Sequence, residues 1–439
     1  MSTHLICKKL YATLLSVTLL SMGDTPLQAF SHKTSQKIHE DLEQKNYDKL
    51  GEFLKEEVNC SHLPLDAIKK VAKEKNASFL LKAINATKNY KKIRNNLSLS
   101  KGAFLQLALF METKFQKKIA HGQRYFRTHK TDLPRKIEYD PHTKHAFIIL
   151  DGAKSAFLGE GYRKRVYKAI EYDPHKLHIV ARANQRGGMK NEKKITKRLL
   201  GMRGVIATRG YGKHRKSGKK YTTVYAKLYN FGDLRGAFKK KIKFSLSEKM
   251  KIALDILHGL ESLRQKKIIH RDLGAKNIFL KRSKDAKGKR RIEAVLADFG
   301  CAKEKWKMHK KRAQVGIRHT SPEGLYYDKL QNSRFFRTDI YATGLILYQL
   351  FYGKSPAWQV KHLHHDSRKA HYHWLSEKID KTTHKRRKHL ALLRAACKTS
   401  AKDDFEHLIL RMVKPDSKKR GTAKELRKEM QHIIKKQAH

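Results

Sequence analysis

The chain has 439 residues, and 39% of them are hydrophobic, which is enough for a real core and for two or three domains. Eight prolines and 25 glycines exclude a collagen-like or low-complexity protein. Lysine and arginine number 99 against 40 acidic residues, a net charge of +59, which suits nucleic acid, an anionic membrane or an acidic protein partner. The basic residues are spread along the whole chain without a base-reading motif, so a nucleic-acid partner is the less favoured interpretation.

The N-terminus has the features of an export signal. Two lysines precede an uncharged run from Leu10 to Gly23, and the small residue Ala29 follows a proline. This pattern predicts a secretory signal over residues 1–29, and the run is too short for a transmembrane helix, which needs about 20 residues. An ordinary buried first helix is the alternative. The four cysteines lack paired spacing, which predicts neither disulfides nor a zinc site and is typical of a reducing compartment.

Residues 31–130 have the periodicity of helices. Apolar residues recur at spacings of three and four, as in Leu65–Val71, and Ser100 is placed to start a helix that runs through Phe110. No pattern of catalytic or metal-binding residues appears in this stretch. We therefore expect a helical accessory domain over 31–130.

From about residue 135 the periodicity changes to that of strands. The phrase Ile137-Glu138-Tyr139-Asp140-Pro141-His142 returns as Ile170-Glu171-Tyr172-Asp173-Pro174-His175, and an apolar run follows each. Each Asp-Pro supplies a turn, so two hairpins in one antiparallel sheet are expected. After about residue 245 helical patterns dominate, and Ile340 to Phe351 is apolar enough for a buried helix. A β-rich segment followed by an α-rich one predicts an α+β fold with two lobes.

The strongest motif is His270-Arg271-Asp272-Leu273-Gly274-Ala275-Lys276-Asn277, followed by Asp298-Phe299-Gly300. It resembles H-R-D-L-x-x-x-N and D-F-G of the protein kinase superfamily, with both phrases complete and in the right order. The resemblance implies a kinase-like domain over 135–435. Its small β-rich N-lobe would cover about 135–230 and its larger helical C-lobe about 231–435.

The resemblance also implies roles for these residues in transfer of the γ-phosphate of ATP to a protein hydroxyl. Asp272 would be the catalytic base, and Arg271 would reach toward the activation segment. Asn277 and Asp298 would supply the hard oxygen ligands that Mg²⁺ prefers. ATP and Mg²⁺ are therefore the expected cofactors.

Weaker matches follow at sensible distances. Ser321-Pro322-Glu323 resembles the A-P-E phrase that closes the activation segment. Asp339 and Gly344 resemble the Asp and Gly of the large buried helix, and Arg420 resembles the arginine that pairs with the A-P-E glutamate. Each match is weak alone, but together they strengthen the resemblance.

Upstream, Leu158-Gly159-Glu160-Gly161-Tyr162-Arg163-Lys164-Arg165-Val166 resembles the glycine-rich loop G-x-G-x-x-G-x-V. Gly159, Gly161 and Val166 are accordingly predicted to contact the nucleotide. The third glycine of the pattern is replaced by Lys164.

The expected V-A-I-K strand reads Val180-Ala181-Arg182-Ala183. If Ala181 lies under the adenine, Ala183 occupies the position of the phosphate-anchoring lysine. The with-no-lysine kinases take this cation from the third glycine position, so Lys164 is the favoured replacement. Arg182, with the register shifted by one, is another candidate, and a pseudokinase without transfer activity is the bland alternative.

Two further nucleotide-site residues are predicted from position. Glu192, nine residues after Ala183, would be the C-helix glutamate that pairs with the cation, although a solvated helix start is the alternative. The hinge that binds adenine is placed within Ala226–Asn230, with Leu228 as its contact.

Substrate class is less determined. Gly274-Ala275-Lys276 is closer to the Ala-Ala-Arg of tyrosine kinases than to the serine/threonine pattern, which tilts slightly toward tyrosine or dual specificity. No serine, threonine or tyrosine lies between Gly300 and Thr320, so a phosphate switch in mid-segment is not expected. That segment is basic, which favours an acidic substrate or partner.

The leading interpretation is a protein kinase that is exported, as a secreted bacterial effector delivered into another cell's cytoplasm would be. ATP is scarce outside cells, which is why delivery to a cytoplasm is part of this hypothesis. A cytoplasmic kinase, a scaffolding pseudokinase and a nucleic-acid-binding protein on a kinase-like fold are the alternatives.

Overall fold

The computed structural model describes residues 26–59, 65–115, 125–127, 135–150, 156–160, 164–173, 176–186, 190–216, 219–286, 288, 290–304, 321–322, 335–359, 368–396 and 398–438. Most of the predicted export signal lies outside these residues. The chain divides into two compact units, Met1–Arg182 and Ala183–His439. Among the described residues, no helix combines the length and the hydropathy needed to cross a membrane.

The first unit begins with helices. They are α1 (Pro26–Glu43), α2 (Tyr47–Asn59), α3 (Leu65–Glu74), α4 (Ser78–Asn89), α5 (Lys91–Asn96) and α6 (Lys101–Phe110), which continues into a π-helical turn. Ser100 caps α6, since its side chain accepts a hydrogen bond of 3.1 Å from the Ala103 N–H. Nearly all of α6 is buried, which explains its run of apolar residues on every side.

The strands of the first unit form an antiparallel sheet, as predicted. They are β1 (Tyr125–Arg127), β2 (Arg135–Asp140), β3 (His145–Leu150), β4 (Phe157–Glu160), β5 (Lys164–Asp173) and β6 (Lys176–Arg186), which crosses into the second unit. The order is β1-β2-β3-β5-β6, and β4 pairs with β5. Asp140 makes the β2–β3 turn by accepting from the His142 N–H at 3.1 Å and from Thr143 Oγ1 at 3.1 Å.

One core holds the helices and the sheet of this unit together. Ile137, Ile148 and Ile170 come from three neighbouring strands and are fully buried. They belong to the same cluster as Phe104 and Leu107 of α6. The helices therefore cover one face of the β2-β3-β5 sheet and bury its apolar side chains.

The second unit is mostly helical. Its elements are α7 (Lys190–Arg198), β7 (Thr208–Lys216), β8 (Lys219–Lys227), α8 (Leu234–Lys239), α9 (Leu246–Gln265), β9 (Ile268–Ile269), β10 (Ile278–Lys284), β11 (Arg290–Leu296), β12 (Lys303–Glu304), α10 (Phe335–Tyr352), α11 (Arg368–Ala395), α12 (Ala401–Met412) and α13 (Ala423–Ala438). A Ser245–Glu248 capping box starts α9. The main core joins α9, α10, α12 and α13 to the β10–β11 hairpin. The β10–β11 hairpin is therefore packed against the helical core of this unit.

The segment after α7 is fixed to this core by a close approach of two glycines. A Cβ on Gly259 of α9 would lie 2.4 Å from the Gly204 carbonyl oxygen and 2.8 Å from Leu296 Cδ1. Gly204 has a φ of +75°, and its carbonyl accepts from the Leu296 N–H at 2.9 Å. Only a residue without a side chain allows helix α9 and this loop to come so close.

We therefore expect Gly259→Ala to lower the free energy of unfolding by about 2–3 kcal/mol, since the added methyl has rigid backbone as its neighbour. Gly236→Ala in α8 is the matched control, because its nearest neighbour would lie at 3.6 Å and alanine favours helix. Urea unfolding of both variants measures the difference. Equal stabilities would contradict the close approach.

Candidate active site

The loop after β9 is anchored through its backbone by one buried carboxylate. Asp339 of α10 accepts hydrogen bonds from the His270 N–H at 2.8 Å and from the Arg271 N–H at 3.1 Å. Burial raises the pKa of Asp339, while His270 and the two N–H groups oppose that rise. Arg271 has a φ of 68°, a conformation that this pair of bonds helps to hold. Asp339 thus fixes the position of the loop that carries Asp272.

The Asp339 anchor leads to a stability prediction. Asp339→Ala leaves two buried N–H groups without an acceptor, so we expect a loss of about 3 kcal/mol in unfolding free energy. Asp339→Asn keeps one acceptor oxygen and is expected to lose about half as much. Chemical denaturation of both variants measures this, and an alanine variant as stable as the wild type would contradict the anchoring.

His270 connects this loop to the segment after β11. Its Nε2 lies 3.0 Å from the Ala297 carbonyl oxygen and donates to it. Its ring lies against Phe299, with the ring centroids 5.2 Å apart. The two motifs found in the sequence are therefore joined side by side in the fold.

Asp272 is held by its own loop. Asn277 Nδ2 donates to the Asp272 carbonyl oxygen at 2.6 Å and lies 3.4 Å from Asp272 Oδ2. Lys276 Nζ lies 3.0 Å from the same Oδ2, so a cation sits beside the carboxylate. Because Nδ2 is used in these bonds, the Oδ1 of Asn277 is the atom available to a metal ion.

The β10–β11 hairpin brings Asn277 and Asp298 to the same end. Ile278 pairs with Leu296, and the Ala297 N–H donates to the Asn277 carbonyl oxygen at 2.9 Å. Asp298 has left-handed backbone angles, φ 62° and ψ 71°, which cost a non-glycine residue of the order of 1–3 kcal/mol. Such strain is typical of functional sites, and here it falls on a predicted metal ligand.

The Cys301 thiol lies among the charged groups at this end of the hairpin. Partial burial raises the pKa of the Cys301 thiol, and the charges of Asp272 and Asp298 raise it further. Both carboxylates therefore lie near this thiol, with the Asn277 amide beside one of them. Two carboxylates and an amide oxygen are the kind of oxygen donors that fit Mg²⁺. Among the described residues no group of three His, Cys, Asp or Glu side chains could hold a metal ion.

The glycine-loop residues lie on the β4–β5 hairpin. Gly159 pairs with Val166, and an irregularity in the ladder separates Phe157 from Gly159. Gly161 lies outside the described residues. Lys164 begins β5 and is partly exposed. The hairpin expected from the glycine pattern is therefore present at Gly159, Lys164 and Val166.

The third-strand residues alternate along β6. Val180 and Arg182 are buried, and Arg182 is only 2% exposed, whereas Ala181 and Ala183 are partly exposed. Arg182 is thus among the largest fully buried side chains of the chain. An arginine is this deeply buried only when charged or hydrogen-bonding groups compensate it. This strand places an enclosed cation at Arg182.

Glu192 lies on a helix, and Leu228 lies in the segment predicted as the hinge. Glu192 is a buried residue in the first turn of α7, not a solvated helix start. Leu228 directly follows β8 and is partly exposed. After it, Asn230 exchanges two hydrogen bonds of 3.1 Å with the Arg282 backbone, which fixes the segment predicted as the hinge to β10.

The weaker motif matches are buried in the second unit. Ser321 and Pro322 are buried, and Glu323 lies outside the described residues. Arg420 donates to the carbonyl oxygens of Lys414 at 2.6 Å and Pro415 at 2.8 Å, with its guanidinium over the Tyr341 ring. A Cβ on Gly344 would lie 2.7 Å from Val413 Cγ1, which explains a glycine where α10 meets α12.

The family model of the protein kinase domain matches residues 153–431, more than half of the chain. The chain belongs to the protein kinase family. The predicted membership is confirmed, as is the α+β fold with a β-sheet N-lobe region, a helical C-terminal region and helices in front. Members of this protein kinase family are transferases, and kinase domains generally use ATP and Mg²⁺.

Curated relatives agree on the kinase domain and differ in acceptor residue. The chain is 33% identical over 131 residues to the megakaryocyte-associated tyrosine-protein kinase of Rattus norvegicus, covering 29% of this chain and 24% of that protein. It is 32% identical over 119 residues to serine/threonine-protein kinase STY46 of Arabidopsis thaliana, covering 27% and 19%. It is 37% identical over 127 residues to 3-phosphoinositide-dependent protein kinase B of Dictyostelium discoideum, covering 28% and 13%. The chain thus spans less than a quarter of the length of these kinases.

Two residues of this kinase site did not stand out in the sequence. In the sequence Lys276 indicates only specificity, although its spacing of four from Asp272 allows the contact that the structure contains. Glu304 follows the D-F-G phrase by four residues and carries no motif of its own, yet it is buried and paired with two cations.

Proposed function

We propose that the chain transfers the γ-phosphate of ATP to a protein hydroxyl, with Mg²⁺ as cofactor. The observation that carries the proposal is the paired arrangement of the Asp272 loop and the Asp298 turn. Backbone hydrogen bonds to Asp339 hold the first, and the His270 bond to Ala297 ties it to the second. Transfer of a phosphate depends mainly on such positioning and on charge neutralisation.

In this proposal Asp272 accepts the proton of the substrate hydroxyl. Asn277 and Asp298 hold the metal ion, which when bound neutralises charge on the phosphates. Lys276, at 3.0 Å from Asp272 Oδ2, places a positive charge beside the point of attack. The proposal thus has three parts: Asp272 accepts a proton, Asn277 and Asp298 hold the metal ion, and Lys276 supplies a positive charge.

The cation that anchors the phosphates is proposed to be Arg182, with Lys164 as the second candidate. Burial supports Arg182, because an enclosed cation interacts more strongly with phosphate than a partly exposed one. Arg182 also shares the buried face of β6 with Val180, so a register shifted by one would place Val180 rather than Ala181 against adenine. Glu192 and Leu228 keep their proposed roles as the C-helix carboxylate and the hinge contact.

The acceptor residue is proposed only as a protein hydroxyl. Relatives of similar identity include both tyrosine and serine/threonine kinases. The basic run after Glu304 supports an acidic substrate, since Lys305, Lys307, Lys310 and Lys311 follow with no acidic residue before Glu323. A panel of acidic and basic peptides with serine, threonine or tyrosine acceptors would identify the preference.

We also propose that the chain is exported and acts in another cell's cytoplasm, on the basis of the basic start and apolar run of residues 1–29. Fractionation of the producing cells tests this, with intact-mass analysis of the N-terminus. Uncleaved protein found only in the producer's cytoplasm would overturn the export proposal and leave the kinase proposal standing.

The experiment that tests the kinase proposal is transfer of labelled phosphate from ATP-Mg²⁺ to generic acidic and basic proteins and to the chain itself. We expect transfer by the wild type and a loss of at least about 100-fold in Asp272→Ala, as for loss of a general base. A wild type that binds ATP and transfers nothing would instead favour a pseudokinase scaffold.

A further inference from the structure

Helix α7 has little intrinsic tendency to form. It is nine residues long, and the sequence KNEKKITKR carries five basic residues against one acidic residue. An isolated helix of this length is marginal in water, and its like charges repel one another. The position of α7 must therefore come from contacts with the rest of its unit.

One side of α7 contacts the main core and Tyr211 of β7. Ile195 is buried in the main core, and the Tyr211 hydroxyl of β7 donates to Thr196 Oγ1 at 3.1 Å. The ammonium groups of Lys193 and Lys197 lie over the Tyr211 ring at 4.9 and 5.7 Å from its centroid. They hold one side of the helix against β7.

The other side is held by the segment that follows Asp298-Phe299-Gly300. Asn191 Nδ2 donates to the Ala302 carbonyl oxygen at 2.8 Å and lies 3.3 Å from that of Gly300. Glu304 of β12 is 5% exposed and receives two cations from α7, one on each carboxylate oxygen. Lys194 Nζ lies 3.0 Å from Oε2, and Arg198 Nη1 bonds to Oε1.

The same contacts reach the loop of Asp272. Arg198 uses its second nitrogen, Nη2, to donate to the Lys266 carbonyl oxygen at 2.9 Å. Glu304 pairs in register with Ile268 of β9, the strand that leads directly into the Asp272 loop. A shift of Glu304 would therefore move α7, β12 and β9 together.

We propose that Glu304 is a positioning residue that holds α7 against the start of the activation segment. Helix α7 is thereby ordered without phosphorylation. The expected effect of Glu304 on phosphate transfer rests on the kinase function proposed above. A phosphate orders such a segment by bringing negative charge to arginine and lysine. Here a buried carboxylate already supplies that charge, and no serine, threonine or tyrosine lies between Gly300 and Thr320.

The test is amide hydrogen exchange of the full chain, read over residues 190–198 without nucleotide or substrate. Glu304→Gln keeps the shape and removes the charge, and we expect α7 exchange to become about tenfold faster while α9 stays within about twofold. Phosphate transfer is expected to fall about tenfold in the same variant. Glu377→Gln is the matched control, since it breaks an exposed pair with Lys381 on α11 and is expected to change neither reading.

A double-variant cycle separates the pair from a general loss of packing. Arg198→Gln removes one of the two cations from Glu304 and is also expected to speed α7 exchange. The double variant is expected to show less than the product of the two single effects, because the Arg198–Glu304 interaction is lost only once. Multiplied effects in the double variant, or α7 exchange unchanged in Glu304→Gln, would overturn the proposal. Exchange is measured without activity, so a wild type that transfers no phosphate would refute the kinase function and leave the Glu304 contact to be judged by exchange.

A further experiment compares the wild type before and after treatment with a phosphatase. Intact-mass measurement verifies that the treated protein carries no phosphate. We expect the α7 exchange rate and the transfer rate to stay within about twofold of the untreated protein. A tenfold change in either would show that a phosphate supplies the ordering, and would overturn the role given to Glu304.

Discussion

Asp298→Asn is expected to lower phosphate transfer by roughly 100- to 1000-fold and to raise the Mg²⁺ concentration needed for ATP binding. The asparagine keeps the size of the side chain and removes the negative charge that a divalent cation requires. Charge neutralisation by a metal ion contributes several kcal/mol to phosphate transfer, at about 1.4 kcal/mol for each tenfold in rate. ATP-binding isotherms at several Mg²⁺ concentrations measure the affinity separately from the rate.

The control for this prediction lies on the same hairpin. Asp285 is at the opposite end of β10–β11, where it pairs with Arg291 at 3.1 Å. Asp285→Asn is expected to stay within about threefold of the wild type in rate and in Mg²⁺ requirement. If both asparagine variants behaved alike, Asp298 would not be a metal ligand.

The second large effect concerns the cation that anchors the phosphates. Arg182→Met is expected to lower ATP affinity and transfer about 100-fold, and Lys164→Met by less than about threefold. Arg182 is 2% exposed, whereas Lys164 at the start of β5 is partly exposed. Water screens the charge of Lys164 more strongly, so its removal is expected to matter less. ATP titration and steady-state transfer rates measure both quantities.

Arg182→Lys is the matched variant, because it keeps the charge and loses the planar group, so an intermediate loss is expected. Thermal unfolding of each variant separates lost anchoring from lost folding. The opposite pattern, with Lys164→Met inactive and Arg182→Met active, would support the arrangement of the with-no-lysine kinases.

Family and fold could be predicted from sequence because they depend on short runs with fixed chemistry. Asp272, Asn277 and Asp298 stand in two complete phrases, and period-two alternation around Asp140 predicted the β2–β3 hairpin that the structure contains. The Asp140 turn shows why. Its side chain accepts a hydrogen bond from a backbone N–H only two residues away, so the turn is encoded by neighbouring residues.

Contacts between distant residues were harder to predict. Glu304 meets Lys194 and Arg198 more than a hundred residues away in sequence, and no local pattern encodes such a pairing. Lys194 and Arg198 are two of 99 basic residues, and nothing in the sequence distinguishes them from the others. Only the fold shows that they contact a carboxylate.

The register of β6 illustrates a third kind of difficulty. Alternation separates Ala181 and Ala183 from Arg182, but it does not say which face is buried. The sequence interpretation assigned the inner face to the alanines because Val180-Ala181 was aligned with the first two residues of V-A-I-K. The fold encloses Arg182 instead, which is the reason it now leads Lys164 as the proposed anchoring cation.

The most direct test of the account is transfer of labelled phosphate from ATP-Mg²⁺ by the wild type and by Asp272→Ala, with ATP binding measured on both. We predict that both proteins bind ATP and that only the wild type transfers phosphate to protein. ATP binding without transfer by the wild type, or equal transfer by the two proteins, would contradict the assignment of Asp272 and of the site built around it.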